Sequence, residues 1–158
     1  MHYDRNIQTY RQTDLQTMSK EKLIVLLYQR MIEHFEVAEA TAAGDRAEMT
    51  RRLNLAQRIV TELNGALDHS VGGAIAANLA SIYDFVFREI LEMQLDRDPA
   101  HAVNCRETLQ PLLDAWSKVP PGTADREAAG RGQAGTESAT SPQRPAPGAA
   151  EQRISISA

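Results

Sequence analysis

An all-α fold, an antiparallel four-helix bundle, is what this chain predicts, and three observations predict it. Four stretches between residues 19 and 118 place apolar side chains at steps of three and four, the spacing of one helical face. The connections between those stretches are a few residues long, which forces neighbouring helices to run in opposite directions. Aromatic residues make up only 5% of the chain and alanine is abundant, a mixture that favours helix over sheet. A mobile N-terminal arm over 1–18 and a disordered C-terminal tail over 119–158 are expected to flank the bundle.

The arm is polar, with isolated apolar anchors at Tyr3, Ile7, Tyr10 and Leu15, a pattern that docks more readily than it folds alone. Ile7 and Tyr10 lie three apart, so one helical turn puts both on the same side. Ser19 caps the first helix, and Glu21 in its first turn answers the positive end of the dipole. That helix runs to about Ala43, with Leu23, Leu27, Met31, Phe35 and Ala38 on one face and Ile24, Tyr28 and Ile32 on the next. Gly44 is its stop. Asp45, three residues before Glu48, begins a second helix over roughly 46–68 that aligns Met49, Leu53, Ala56, Val60, Leu63 and Leu67, with Arg51, Arg52, Arg58 and Glu62 on the other side.

His69 to Gly73 reads as a turn, because two adjacent glycines end a helix more readily than they continue one. The third helix, Gly73 to Leu95, is the longest helix-compatible run and carries two apolar stripes. Ile75, Leu79, Ile82, Val86, Ile90 and Met93 form the first; Tyr83, Phe87 and Leu91 form the second. A helix needing one face for a core has no use for two: either it sits deep among other helices, or it keeps a hydrophobic strip for a partner. Asp98-Pro99 restarts the chain into a fourth helix with Val103, Leu109, Leu112, Leu113 and Trp116. Pro111 inside it predicts a bend near 107–111 or two short helical pieces. Five prolines, five glycines and nine alanines then fall in 120–158, residues that bury too little surface to offset the entropy of ordering.

Several function classes find no support. The net charge of −4 and the sequence pI near 5.6 give no basic patch, so no nucleic-acid partner is expected. No uninterrupted apolar run reaches the ~18 residues of a membrane span, and no charged start precedes an apolar signal core. Cys105 is alone and fits a reducing compartment. His2, His34, His69 and His101 are far apart, without metal-ligand spacing. Phosphate-loop, dinucleotide and nucleophile-elbow patterns are absent. The expectation is no enzyme, no cofactor, no metal and no small-molecule ligand.

Five motifs in order then resemble one family. Gly72 to Phe85, GGAIAANLASIYDF, is similar to the GG-x-IA-x-NL-x-x-LYDY block of the flagellar secretion chaperone FliS family. Ile7 to Gln12, IQTYRQ, resembles that family's I-x-x-Y-x-Q arm, and Leu23 to Tyr28, LIVLLY, its first-helix L-x-x-x-LY segment. Ala56-Gln57 with Ile59 resembles its second-helix A-x-x-I-I, and Ala115-Trp116 its closing AW. The resemblance spans about residues 5–118. Lys20 stands where the family has proline after the cap, and Gln29-Arg30-Met31 where it commonly has Asp-Gly-Ala.

The resemblance implies a cytoplasmic export chaperone that holds the disordered C-terminal segment of flagellin, prevents its premature polymerisation and delivers it to the flagellar type III export gate. It implies Ile7, Tyr10, Tyr28, Asn78, Tyr83 and Phe87 as partner-binding residues, and a monomer or weak homodimer when free. Two other readings stay open from the residues. A self-associating structural bundle would pair its second stripes with copies of itself. A histidine phosphotransfer domain would use His34, although Phe-Glu-Val-Ala follows it rather than Lys-Gly-Ser.

Overall fold

The computed structural model of the chain describes residues 18–123, so Ile7, Tyr10, the arm and the tail beyond Thr123 lie outside the described residues. Four helices occupy the described stretch: α1 Lys20–Thr41, α2 Arg46–Gly65, α3 His69–Asp96 and α4 Ala100–Ser117. α1 packs against α2 and α4, and α3 packs against the same two. The four therefore close around one core, with α1 and α3 facing each other across it.

The helix starts follow the capping chemistry in the sequence. Ser19 Oγ accepts the Lys22 N–H at 3.3 Å, and Asp45 Oδ1 accepts the Glu48 N–H at 3.0 Å. Glu48 does not close a capping box; its carboxylate takes Arg51 Nε at 2.8 Å and Arg52 Nε at 2.7 Å instead. The Arg51 hydrogen bond, then that of Arg52, pull its pKa down to about 2. α4 starts at Ala100, one residue later than a Pro99 first turn requires, and Asp98 Oδ1 accepts the Ala100 N–H at 2.9 Å.

Two expectations about breaks are revised. His69–Gly73 is not an open turn. Asp68 caps a helical turn there, accepting from Ser70 N at 3.0 Å and Val71 N at 3.3 Å, and Gly73 then leaves helical geometry at φ 50, ψ −122. Glycine is required there for the left-handed φ. Its neighbour Gly72 is needed for space, since a Cβ on it would fall 2.8 Å from the Ala76 Cβ. Pro111 does not divide α4, which continues from Ala100 to Ser117. Pro111 and Glu107, whose carbonyl loses a donor to the proline, are both exposed, so the missing bond falls on the solvent-facing side of the helix.

The core combines Tyr28, Met31, Phe35 and Ala38 of α1 with Met49, Leu53, Ala56 and Val60 of α2, Tyr83, Val86, Ile90 and Met93 of α3, and Ala102, Cys105 and Leu109 of α4. Burial pushes the Cys105 thiol pKa up, so it packs as a small apolar group and is not a reactive thiol. In α1 the face with Tyr28 points inward, whereas Leu27 is only half-buried.

Arg97 ends α3 with a left-handed φ of 64, uncommon for a side chain of its size. Its guanidinium explains the conformation: Nε and Nη2 donate to the Ala42 carbonyl at 2.9 and 2.6 Å, satisfying the open end of α1. Arg106 of α4 pairs with Glu39 and stands 3.9 Å from Glu36 on α1, and Gln94 of α3 donates to Asn54 of α2 at 3.2 Å.

Candidate partner-binding surface

Apolar surface is left over at the end of the bundle where α1 begins. Leu23 to Leu27 are five consecutive apolar residues, and at 100° per residue they point to every side of the helix. A helix with two packed neighbours hides only part of such a belt; Leu23 is exposed and Ile24, Val25, Leu26 and Leu27 are half-buried. The first turns of α3 lie at the same end of the bundle, with Val71 at 52% and Ile75 at 72% exposure and Leu79 and Ile82 half-buried. Leu112, Leu113 and Trp116 at the end of α4 pack partly against the core. A recess of ≈ 240 Å³ lies beside them, lined by Glu21, Lys22, Val25, Trp116, Ser117, Val119 and Pro121. Glu21 is buried at its rim and accepts the Gly122 N–H at 3.1 Å.

A second apolar patch lies on the outer side of α3, where Leu91 is 54% and Leu95 is 83% exposed. By length and composition α3 is apolar enough to cross a membrane, although polar residues interrupt its apolar runs. In the bundle only 17% of its most apolar window is buried.

The expected site residues fall into three groups. Ile7 and Tyr10 lie outside the described residues. Asn78 is exposed and Phe87 half-buried against the core. Tyr28 and Tyr83 are not surface groups: they are 0% and 2% exposed, and their hydroxyls meet at 2.6 Å across the core between α1 and α3. Burial raises both phenol pKa values, most for Tyr28, so both stay neutral. The nearby Trp116 side chain works against that rise for Tyr28. The two α3 stripes are redrawn accordingly. Tyr83 belongs to the core face, and Ile75, expected in the core, stands in solvent. Leu23, Val71, Ile75 and Leu95 are the surface groups that sequence reasoning did not assign, and for Leu23 the unbroken Leu23–Leu27 belt was the available signal.

His34 is half-buried and its Nδ1 stands 3.4 Å from Arg52 Nη1, a setting unlike an exposed phosphoacceptor. Burial, then Arg52 and Arg30, hold its pKa below the usual value, with Arg51 adding to the fall and Glu33 opposing it. A folded pKa below the unfolded one means a contribution to stability that is present above about pH 6.5 and lost as pH falls through the folded value. Urea unfolding at about pH 7.5 and about pH 5 should show a larger loss for the wild type than for His34→Gln. Equal losses would contradict this assignment.

Comparisons with known proteins agree with one another. The family described as "Flagellar protein FliS" matches residues 3–123. The flagellar secretion chaperone FliS of Vibrio cholerae is 28% identical over 110 residues, 69% of this chain and 81% of that protein. The flagellar secretion chaperone FliS of Salmonella typhimurium is 29% identical over 85 residues, 53% of this chain and 63% of that protein. A crystal structure of a flagellar chaperone from bacteria superposes with a TM-score of 0.59 at 24% identity, over 72% of this chain and 93% of that one, and so shares the fold. With the family matched across the whole described bundle, the chain belongs to the FliS family of flagellar secretion chaperones, which are not enzymes.

Proposed function

We propose that this chain is a cytoplasmic export chaperone that binds the C-terminal segment of flagellin, keeps it from polymerising early and hands it to the flagellar export gate. The observation that supports this most is the apolar end of the bundle formed by Leu23, Val71, Ile75 and the half-buried residues around them. An amphipathic segment that folds as helix on such a surface covers exposed aliphatic groups with its own apolar face. Each large aliphatic side chain it buries contributes about 1.5–3 kcal/mol before the ordering cost is subtracted. Binding of that kind is firm enough to mask the segment and still reversible.

Tyr28 and Tyr83 act in this reading from inside, by holding α1 and α3 at the separation that shapes the surface, while exposed Asn78 on α3 contacts the guest and Phe87 packs behind it. The arm residues Ile7 and Tyr10 serve delivery to the gate.

The test compares intact flagellin with flagellin lacking its C-terminal segment in pull-downs and titrations. Intact flagellin should bind and the truncated form should not. Val71→Ser/Ile75→Ser, both exposed and so harmless to folding, should weaken binding at least about tenfold, as loss of central apolar contacts does elsewhere. Equal binding of both flagellins, or by the double variant, would refute the reading. Leu91→Ser/Leu95→Ser, read by light scattering, separates self-association through the outer patch.

A further inference from the structure

The junction of α3 and α4 carries a cluster of ligand-bearing side chains that polypeptide binding does not use. Glu89 and Glu92 are three apart on α3, one turn along the same side, and His101 lies in the first turn of α4. His101 Nδ1 is 3.0 Å from Glu89 Oε2 and 3.6 Å from Glu92 Oε2. The other ring nitrogen, Nε2, is 3.0 Å from Asp96 Oδ2. Asn104 Nδ2 donates to Glu89 Oε2 at 3.0 Å. Glu89 is buried, His101 is largely covered and Glu92 is exposed, so the cluster opens to solvent on one side.

These spacings suit a small dication. Ligands held at about 2.0–2.1 Å around tetrahedral zinc stand roughly 3.3 Å from one another. The 3.0 and 3.6 Å separations bracket that value, and all three donor atoms lie within 4.8 Å of each other. The competing occupant is a proton on Nδ1. It satisfies Glu89 but leaves Glu92 beyond hydrogen-bond range, whereas an ion among the three atoms satisfies both. A carboxylate on the far nitrogen of a ligating histidine is the usual outer arrangement around zinc; it fixes the tautomer and turns the free lone pair to the metal. Asp96 occupies that position.

We propose that Glu89, Glu92 and His101 form a binding site for a divalent ion of the zinc class, with His101 ligating through Nδ1 and water completing the shell. Asp96 and Asn104 orient the ligands. Binding releases the Nδ1 proton to solvent and changes no oxidation state. The ion ties the last turns of α3 to the first turn of α4, so it binds the folded chain and raises its melting temperature by mass action. The site lies at the end of the bundle away from the surface proposed for flagellin, and neither reading depends on the other.

The test uses the full chain without an affinity tag, stripped with EDTA and titrated with zinc chloride in calorimetry and thermal melts. One ion per chain and a melting temperature that rises with zinc are expected. Glu92→Gln, at an exposed position, should melt as the stripped wild type and bind zinc at least tenfold more weakly. Asp96→Asn should lose about 10–100-fold in affinity, and His101→Gln should not bind. Absence of stoichiometric binding to the wild type overturns the site. So does affinity unchanged in both Glu92→Gln and His101→Gln, which would mean adventitious surface carboxylates only.

Discussion

Phe35→Ala should lower the melting temperature by well over 10 °C. Phe35 is wholly buried midway along α1, among the residues that fill the single core. Truncating a buried phenylalanine removes its transfer energy and leaves a cavity, together about 3–5 kcal/mol. Domains of this kind hold about 5–15 kcal/mol in all, and each kcal/mol moves the midpoint by about 4–8 °C at this size. The urea slope should stay at its wild-type value, since the same surface is exposed on unfolding. Leu95→Ala is the matched control: at 83% exposure it should shift stability by less than about 0.5 kcal/mol. A small loss for Phe35→Ala would mean that the core is not the one described.

Removing either hydroxyl of the buried tyrosine pair should be the next largest effect. The pair makes one 2.6 Å bond in which either hydroxyl can donate. Tyr83→Phe leaves the Tyr28 hydroxyl without its partner, and Tyr28→Phe leaves the Tyr83 hydroxyl without its partner. Each strands a buried polar group, at about 1–3 kcal/mol. The double variant strands neither and should lose less than the sum of the singles by at least about 0.5 kcal/mol. Denaturant titrations of the four proteins measure this coupling; additive losses would show that the hydroxyls do not interact.

How much of this was readable beforehand depends on where neighbours decide the outcome. Ser19, Asp45 and the α2 face of Met49, Leu53, Ala56, Val60 and Leu63 were legible, because caps and period belong to a single helix. The inward turn of Tyr28 over Leu27 was not, because the Leu23–Leu27 belt is apolar all round and only the packing of α2 and α4 selects a side. Ile75 was misplaced for a related reason. The first turns of α3 straddle the break at Gly73, where Val71 and Ile75 on either side of it stay exposed. Periodicity identifies a face; it does not say where the neighbours stop. The Glu89, Glu92 and His101 group was illegible too, since only the turn between α3 and α4 brings His101 back to the glutamate pair.

The Arg97 contact to the Ala42 carbonyl, with the Arg106–Glu39 pair and the His101 cluster, fastens one end of the four rods with charged, directional bonds. The other end is held mainly by greasy side chains half in water. Such an object is built like a clothes peg, with the spring at the charged end and the jaws where Val71 and Ile75 stand. Local opening requires least free energy at the jaws. Under the function proposed above, a guest polypeptide is gripped or let go there while the spring keeps the fold intact.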